Sequence, residues 1–416
     1  MGTLNETSRG MRTAIAFLGR RNAGKSSLLN ALVGYDLAIV SATAGTTSDP
    51  VHKAVEINPL GPCLVIDTAG LDDSGELGQK RIDKTMEVIN DSDVGVIVVG
   101  DGQWTGFEDD IVKRLQAQKR PFIVALNKSD CYEYSTLKKQ LQQKGIDAVV
   151  TMAVHTEGIN ELKEKIRSLK LGEKDESWAI AGDLLQPGDV AILVVPIDLG
   201  APKGRLILPQ VQTLRDLLDH NILALVVKEN QLANMLEKLA CPPDLVITDS
   251  QVVNEVSAAL PPDIPLTTFS TLFARFKSRG LFCALLEGVK KIEQLEDGAR
   301  ILIAEACTHH AMADDIGRVK LPRWLREYTG KRLDFEVAAG PALKRDLRQY
   351  DMVIQCGGCM LTPTVYQNRV REASSLGVAI SNYGLVISYI QGVLPRIISP
   401  FPELRDLSRE LTGIGL

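Results

Sequence analysis

The chain has 416 residues, a charged fraction of 24% and a formal net charge of −5. Its length exceeds what one hydrophobic core usually supports and predicts roughly two to four domains, of which we expect three. The acidic balance argues against a mainly nucleic-acid-binding protein, so no nucleic-acid partner is expected. The first residues lack an apolar signal core and the longest apolar runs are interrupted, which predicts a cytoplasmic protein without a membrane partner.

The first predicted domain, residues 1–171, alternates buried strands with amphipathic helices. The predicted strands are Thr13–Leu18, Cys63–Asp67, Val94–Val99 and Phe122–Asn127. The predicted helices are Ser26–Val33, Gly78–Asn90, Gly106–Gln118, Tyr134–Gln143 and Glu161–Leu169. This alternation predicts a doubly wound α/β domain with a parallel sheet.

Residues 19–26, which read GRRNAGKS, have the composition of a phosphate loop. Its glycines allow backbone N–H groups to converge on an anion, Lys25 neutralises β- and γ-phosphates, and the Ser26 hydroxyl can ligate Mg²⁺. The motif lies between a predicted strand and a predicted helix, as this function requires. By itself it indicates a nucleotide-phosphate site without identifying the base.

Two further motifs indicate that the base is guanine. Asp67-Thr68-Ala69-Gly70 follows a buried strand, which places Asp67 near the Mg²⁺ shell and the Gly70 N–H near a γ-phosphate. Residues 127–130, which read NKSD, follow another strand, and the Asp130 carboxylate can accept two hydrogen bonds from the guanine edge. The order and spacing of the three motifs resemble the translation-factor-type GTPases across residues 11–170.

This resemblance implies further nucleotide contacts. Thr47 is the expected switch hydroxyl on Mg²⁺, with Thr46 as the alternative, and the last guanine-contacting loop is expected at Met152-Ala153. The ligands expected for Mg²⁺ are Ser26, Thr47 and Asp67. The predicted nucleotide-binding residues are Gly19, Asn22, Ala23, Gly24, Lys25, Ser26, Ser27, Thr47, Asp67, Gly70, Asn127, Lys128, Asp130 and Ala153.

Leu71 stands where Ras-like enzymes carry a water-orienting glutamine. The chain in this respect resembles GTPases with a hydrophobic residue at that position, several of which use a bound K⁺ with an asparagine at the Asn22 position as ligand. We therefore predict slow GTP hydrolysis that K⁺ stimulates more than Na⁺. The alternative is that Asn22 only shapes the loop. The predicted catalytic residues are Lys25, Asn22, Thr47 and Gly70.

The second predicted domain, residues 172–265, is a smaller α/β unit that begins with a polar linker. The predicted strands are Ala191–Pro196, Ala224–Val227 and Asp244–Thr248, and the predicted helices are Pro209–Leu218 and Gln231–Leu239. The proline-rich run Pro261–Pro265 is expected to end or interrupt this domain. A third α/β domain, residues 266–416, has the predicted strands Gly298–Ala304, Phe335–Ala338, Met352–Gln355 and Val378–Ser381.

Three of the seven cysteines form a candidate metal site in the third domain. Cys307 and Cys356 each follow a predicted strand, and open α/β sheets place ligands at the carboxyl ends of their strands. The loop Cys356-Gly357-Gly358-Cys359 adds a further thiolate. Three thiolates can hold three irons of a [4Fe–4S] cluster and leave the fourth iron exchangeable.

Zinc held by the three cysteines and a histidine, His309 or His310, is the alternative, and spacing alone favours it slightly. The remaining cysteines are expected to be buried packing residues. They are Cys63, Cys131, Cys241 and Cys283.

The cysteine pattern, together with an N-terminal GTPase domain, resembles the HydF family of [FeFe]-hydrogenase maturation GTPases. Residues 194–199 and 201–210 are also similar to that family, so the resemblance spans essentially the whole chain. It implies a GTPase domain, a central dimerisation domain and a C-terminal [4Fe–4S] domain. It also implies a homodimeric scaffold that receives a diiron precursor from radical-SAM maturation enzymes and delivers it to apo-hydrogenase.

One position departs from the family pattern, because Gln355 stands where the family often has a histidine directly before the second cysteine. His309 is then the candidate for a labile fourth ligand, unless the fourth iron is open to solvent. An exchangeable corner suits a carrier, because a fully protein-ligated cluster would resist attachment of another iron unit. The alternative function is a regulatory GTPase of tRNA modification or ribosome assembly with a structural zinc site.

Overall fold

The computed structural model describes residues 7–34, 51–67, 85–169, 179–197, 206–306, 315–340, 343 and 346–404. The chain separates into two compact units, Met1–Lys174 and Asp175–Leu416. The second unit contains two sheets. The division into three domains, with boundaries after residues 171 and 265, stays a prediction.

The first unit is built around a six-stranded sheet whose order is β2-β3-β1-β4-β5-β6. Its strands are β1 (Thr13–Leu18), β2 (Val51–Ile57), β3 (Gly61–Asp67), β4 (Val94–Val99), β5 (Phe122–Leu126) and β6 (Ala148–Val150). Its helices are Lys25–Val33, Gly106–Ala117, Ser135–Gln143 and Ile159–Ser168, and residues 85–91 are also helical. The four strands predicted in this region are all present.

The sheet is parallel except at one edge, where β2 pairs antiparallel with β3. The four predicted strands pair in parallel as expected, and the antiparallel edge strand β2 is one that the sequence analysis did not predict. Only residues 58–60 join β2 to β3, and so short a connection permits an antiparallel pair but is too short for a parallel crossover.

The central strand β1 shows why the sequence predicted this sheet so directly. All six of its residues are buried. Ile15 and Phe17 lie in one hydrophobic cluster, whereas Ala16 and Leu18 lie in another. Alternate side chains thus fill cores on both faces of the sheet, which gives a continuous apolar run in the sequence.

The second unit contains two four-stranded parallel sheets, with the orders β10-β9-β7-β8 and β12-β11-β13-β14. The strands of the first sheet are β7 (Val190–Val194), β8 (Leu223–Val227), β9 (Leu245–Thr248) and β10 (Leu266–Thr268). Those of the second are β11 (Arg300–Glu305), β12 (Asp334–Ala339), β13 (Met352–Gln355) and β14 (Ala379–Asn382). The helices are Leu208–Asp219, Leu232–Lys238, Val253–Ala259, Phe269–Ser278, Phe282–Lys290, Leu321–Thr329, Pro363–Ser375, Tyr383–Ile390 and Leu394–Ile398.

Of the two expectations for the run Pro261–Pro265, the structure shows that it precedes the last strand of the first sheet and does not end that sheet. Strand β10 follows Pro265 directly and pairs in parallel with β9. The Pro265 carbonyl oxygen accepts a hydrogen bond from the Val246 N–H at 2.9 Å. Proline is tolerated here because it precedes the strand, where its missing N–H removes no bond from the ladder.

The two sheets of the second unit share a hydrophobic core. Leu193 of β7 and Ile303 of β11 belong to the same buried cluster, which also includes Phe273 from the helix Phe269–Ser278. That helix begins immediately after β10, where the Thr268 hydroxyl accepts a hydrogen bond from the Thr271 N–H. The C-terminal end of this helix lies at the loop that follows β13.

Strand β8 forms an edge of its sheet and is unusually exposed for an apolar strand. Leu223 and Val226 expose 58% and 44% of their surface. An apolar edge with unpaired backbone groups is a template for pairing with another chain. Among the helices within the described ranges, none is both long and apolar enough to cross a membrane.

Candidate functional site

The phosphate loop connects the end of β1 to the helix Lys25–Val33. Gly19 and Gly24 have φ values of 146° and 89°, which residues other than glycine rarely adopt. A Cβ atom at Gly19 would collide with the Val98 carbonyl oxygen, and one at Gly24 with the Asn127 amide. Both glycines are therefore required by the loop conformation.

Lys25 is the first residue of the helix and is only 8% exposed. Its Nζ donates hydrogen bonds to the carbonyl oxygens of Gly19 at 2.8 Å and Arg20 at 2.7 Å. The ammonium group is thus held inside the loop, at the start of the helix. A positive charge and a helix N-terminus at one point form an anion-binding site.

Asn127 connects the phosphate loop to the segment expected to contact guanine. Its Nδ2 donates to the Ala23 carbonyl oxygen at 3.2 Å. Its Oδ1 accepts hydrogen bonds from the Ala153 N–H at 3.2 Å and from the Thr151 hydroxyl at 3.3 Å. One buried amide thereby holds three sequence-distant segments together, and Ala153 lies beside the NKSD motif.

The NKSD motif itself is a tight turn after β5. Lys128 has a left-handed φ of 60°, and Asp130 is exposed. Burial raises the pKa of Tyr134 to about 12. Its hydroxyl therefore stays protonated at neutral pH and donates to the Asn127 carbonyl oxygen at 2.6 Å. This bond supports the turn and leaves the Asp130 carboxylate accessible.

Arg20 is a structural residue of the site that the sequence reasoning missed. Its guanidinium pairs with Asp101 at 3.0 Å and with the buried Glu108 at 3.0 Å. Glu108 also forms a capping box with Thr105 at the start of the helix Gly106–Ala117. The Thr-x-x-Glu pattern was available in the sequence, but its connection to the phosphate loop depends on the fold.

Several predicted residues lie partly or wholly outside the described ranges. Asp67 ends β3, but its side chain lies outside the described residues. Ser26 and Ser27 follow Lys25 in the first turn of the helix and are exposed. The predicted residues that lie wholly outside the described ranges are Thr46, Thr47, Gly70, Leu71, Cys307, His309 and His310.

The second site lies at the carboxyl ends of the neighbouring strands β11 and β13. The Cys356 N–H donates to the Ala304 carbonyl oxygen at 3.0 Å. The Ala306 N–H donates to the Cys356 Sγ at 3.2 Å. Cys356 therefore contacts the residue that directly precedes Cys307 in the sequence.

The loop from Cys356 to Leu361 is narrow and partly buried. Gly358 has a φ of 63°, and a Cβ atom there would collide with the Tyr366 ring. Desolvation, with a contribution from the Cys356 thiol, raises the pKa of the Cys359 thiol. Both cysteines remain partly exposed, whereas Gln355 is fully buried.

The residues present fit a metal–thiolate centre. Two thiols lie on one loop, one of them accepts a backbone N–H bond, and both are accessible. Hydrogen bonds to sulfur are a usual feature of iron–sulfur sites. Within the described part of the chain there is no group of three His, Cys, Asp or Glu side chains placed to hold a metal ion. The third predicted ligand, Cys307, lies outside that part.

The expectation that the other cysteines are buried is confirmed only for Cys63. It is wrong for Cys131, Cys241 and Cys283, which are exposed. These three lie at a loop or at element ends rather than in sheet interiors.

The sheet order, the phosphate loop and the NKSD turn define the first unit as a P-loop GTPase domain. A family model described as a 50S ribosome-binding GTPase matches residues 14–128. Two further family models match within the second unit, the Hydrogen maturase F dimerization domain at residues 180–278 and the Hydrogen maturase F tetramerization domain at residues 283–400. The chain belongs to the HydF family.

The tRNA modification GTPases MnmE match the GTPase domain of the chain. The chain is 39% identical over 160 residues to the tRNA modification GTPase MnmE of Koribacter versatilis, a match that covers 38% of this chain and 34% of that protein. MnmE of Clostridioides difficile is 34% identical over 163 residues, with the same coverage. The chain thus spans about a third of the length of these relatives. The G domain of the T. maritima FeoB iron transporter is 26% identical with a TM-score of 0.31, covering 38% of this chain and 98% of that one.

Proposed function

We propose that this protein is a GTP-hydrolysing [4Fe–4S] scaffold that assembles or transfers the diiron precursor of the [FeFe]-hydrogenase active site to apo-hydrogenase. The observation that carries the proposal is the cysteine loop at the carboxyl end of β13, in a HydF-family chain with an assembled phosphate loop. Radical-SAM maturation enzymes would supply the precursor.

In this proposal Cys356, Cys359 and Cys307 would hold the cluster, with His309 as the candidate fourth ligand. A [4Fe–4S] cluster on three cysteines supplies an iron corner that can exchange its ligand. The Ala306 N–H bond to Cys356 orients that thiolate. Partial exposure of the two loop cysteines leaves room for a second iron unit to approach.

For the nucleotide, Lys25 and the loop N–H groups would bind the phosphates, while Ser26, Thr47 and Asp67 would hold Mg²⁺. Asp130 would recognise guanine. Asn127 fixes the distance between the phosphate and base subsites through its bonds to Ala23 and Ala153.

Transfer of the diiron precursor to apo-hydrogenase tests the proposed function. The anaerobically reconstituted protein, loaded by the radical-SAM maturation enzymes, is separated from them and mixed with apo-hydrogenase, and hydrogen evolution is measured. The proposal expects activation by the loaded wild-type protein and none by a loaded Cys359→Ser variant. Equal activation by the two proteins would contradict a role for the cysteine loop.

We predict that GTP turnover is stimulated by K⁺ over Na⁺ by roughly tenfold or more, because a desolvated cation stabilises charge developing in the transition state. Asn22 is exposed on the phosphate loop with a left-handed φ of 60°. Its exposed amide would ligate the cation. Asn22→Ala should abolish the preference.

Asn22→Gly separates the two roles of this residue, because glycine keeps the left-handed backbone but has no amide. Steady-state phosphate release is measured in KCl and NaCl for both variants. Loss of the K⁺ preference in both supports ligation. Retention in Asn22→Gly would show that Asn22 only shapes the loop.

We also predict self-association through strand β8. The HydF dimerization and tetramerization family models support oligomerisation, and β8 offers an exposed apolar edge at Leu223 and Val226. Val226→Lys should weaken the dimer, since a lysine on an edge strand opposes pairing. Light scattering after gel filtration should then shift from twice the chain mass of 45.3 kDa towards that mass.

Val154→Lys is the control for this substitution, because Val154 is 77% exposed in the first unit and lies outside the edge. It should leave the mass unchanged. A Val226→Lys protein that keeps the wild-type mass would place the interface elsewhere.

A further inference from the structure

A lysine is completely buried beneath the cysteine loop. Lys277 lies in the last turn of the helix Phe269–Ser278 and is 0% exposed. Its Nζ donates hydrogen bonds to the Gly358 carbonyl oxygen and, at 2.7 Å, to the Leu361 carbonyl oxygen. Both acceptors belong to the loop that begins at Cys356, so the ammonium group holds the loop from within the protein.

The helix end is also connected to the element that follows the loop. Gln367, in the helix Pro363–Ser375, donates from Nε2 to the Lys277 carbonyl oxygen at 3.1 Å. The Lys277 ammonium lies 5.6 Å from the centre of the Phe273 ring. Backbone, side chain and aromatic contacts therefore fix both ends of Lys277.

The charge of Lys277 is compensated in an unusual way. Among the described residues, no carboxylate pairs with its ammonium group. Burial lowers the pKa of Lys277 to about 8, and the Cys359 and Cys356 thiols oppose that shift. Arg275, two residues earlier on the same helix, is also buried but pairs with Asp183 at 2.7 Å and Glu403 at 2.6 Å. Burial of an ammonium group without a counterion is costly, so negative charge on the neighbouring cysteines would stabilise the charged form of Lys277.

We propose that Lys277 is a positioning residue that holds the Cys356–Leu361 loop in its ligating conformation and supplies the countercharge for an anionic metal–thiolate centre on that loop. Three thiolates on a [4Fe–4S] core leave a net negative charge, which increases on reduction. A fixed positive charge on the buried side of the loop stabilises the reduced state more than the oxidised state. This inference rests on the proposed function, and the experiment below distinguishes the two.

The test compares Lys277→Met, which keeps the length of the side chain but removes its charge and donors, with wild type. Lys290→Met is the matched control, because Lys290 lies on the neighbouring helix with a side chain that is 46% exposed. Each full-length protein is reconstituted anaerobically with iron and sulfide. Iron and sulfide per chain are measured, and the midpoint potential is determined by EPR-monitored titration.

The inference expects one of two results for Lys277→Met. Either the variant holds less iron than wild type, or its cluster is harder to reduce by at least tenfold in the equilibrium constant. For a one-electron couple, that factor lowers the midpoint potential by about 59 mV. Lys290→Met should match wild type in both quantities. If Lys277→Met does not fold, Lys277→Gln carries the measurement, because it removes the charge and keeps an amide donor.

Wild-type iron content together with a wild-type midpoint in the Lys277 variants would overturn the inference while leaving the proposed function intact. A wild-type protein that holds neither iron nor sulfide would contradict both. Unchanged GTP turnover in the variants would show that the loss is confined to the cysteine site.

Discussion

Asp130→Asn should convert the guanine-nucleotide site into one that prefers xanthine nucleotides. The Asp130 carboxylate is exposed at the NKSD turn, where it is free to accept hydrogen bonds from N1–H and the 2-amino group of guanine. Hydrogen bonds to charged groups contribute roughly 1.5–3 kcal/mol each. Their loss should lower GDP affinity by about a hundredfold or more.

Xanthine carries a carbonyl group where guanine carries the 2-amino group, and an asparagine amide can donate to it. The variant should therefore gain XDP affinity as it loses GDP affinity. The fold should persist, since the hydrogen bond that the structure shows for the Asp130 carboxylate is a weak one, from Cys131 Sγ at 3.4 Å. Both affinities can be measured by calorimetry.

Asp110→Asn is the control for the loss of one negative charge, because Asp110 is a surface residue whose side chain is 66% exposed. It should bind GDP as wild type does. If Asp130→Asn kept wild-type GDP affinity and gained none for XDP, the assignment of Asp130 to guanine recognition would be wrong.

Cys359→Ser should lower the iron content from about four per chain to less than one. Serine has nearly the same shape, but its hydroxyl does not supply the soft thiolate that iron–sulfur clusters require. Because the loop conformation depends on Gly358, Tyr366 and Lys277 rather than on the cysteine side chain, the protein should still fold. Iron and acid-labile sulfide are measured beside the EPR spectrum of the reduced protein.

Cys283→Ser is the matched control, because Cys283 is an exposed cysteine in the same unit. It should retain the full iron content. Retention of iron by Cys359→Ser, or its loss from Cys283→Ser, would exclude the cysteine loop as the principal site.

The sequence predicted strands best where both sheet faces are buried. Strand β1 is buried at all six positions, so its apolar run is unambiguous. Strand β2 was missed because polar residues at His52, Lys53 and Glu56 interrupt its apolar residues. Strand β10 was missed because three residues after a proline give almost no periodic signal. Short edge strands are specified by their partners more than by their own composition.

The site residues likewise divide into those that the sequence predicts and those that only the fold brings together. Lys25, Asn127 and Asp130 were predicted from motifs, because short sequences alone determine a phosphate loop and a base-recognition turn. Lys277 was not predicted, since a lysine on a helix usually faces solvent. Its burial arises only when the helix Phe269–Ser278 is packed against the loop after β13, a relation between residues separated by 81 positions in the sequence.

The metal content of the wild-type protein tests the central claim most directly. The chain should be purified and reconstituted anaerobically, and iron, sulfide and zinc measured together with the visible absorption spectrum and the EPR spectrum of the reduced protein. The account predicts about four irons and four sulfides per chain with a reducible [4Fe–4S] signal. Stoichiometric zinc without iron would contradict it and would favour a regulatory GTPase with a structural metal site.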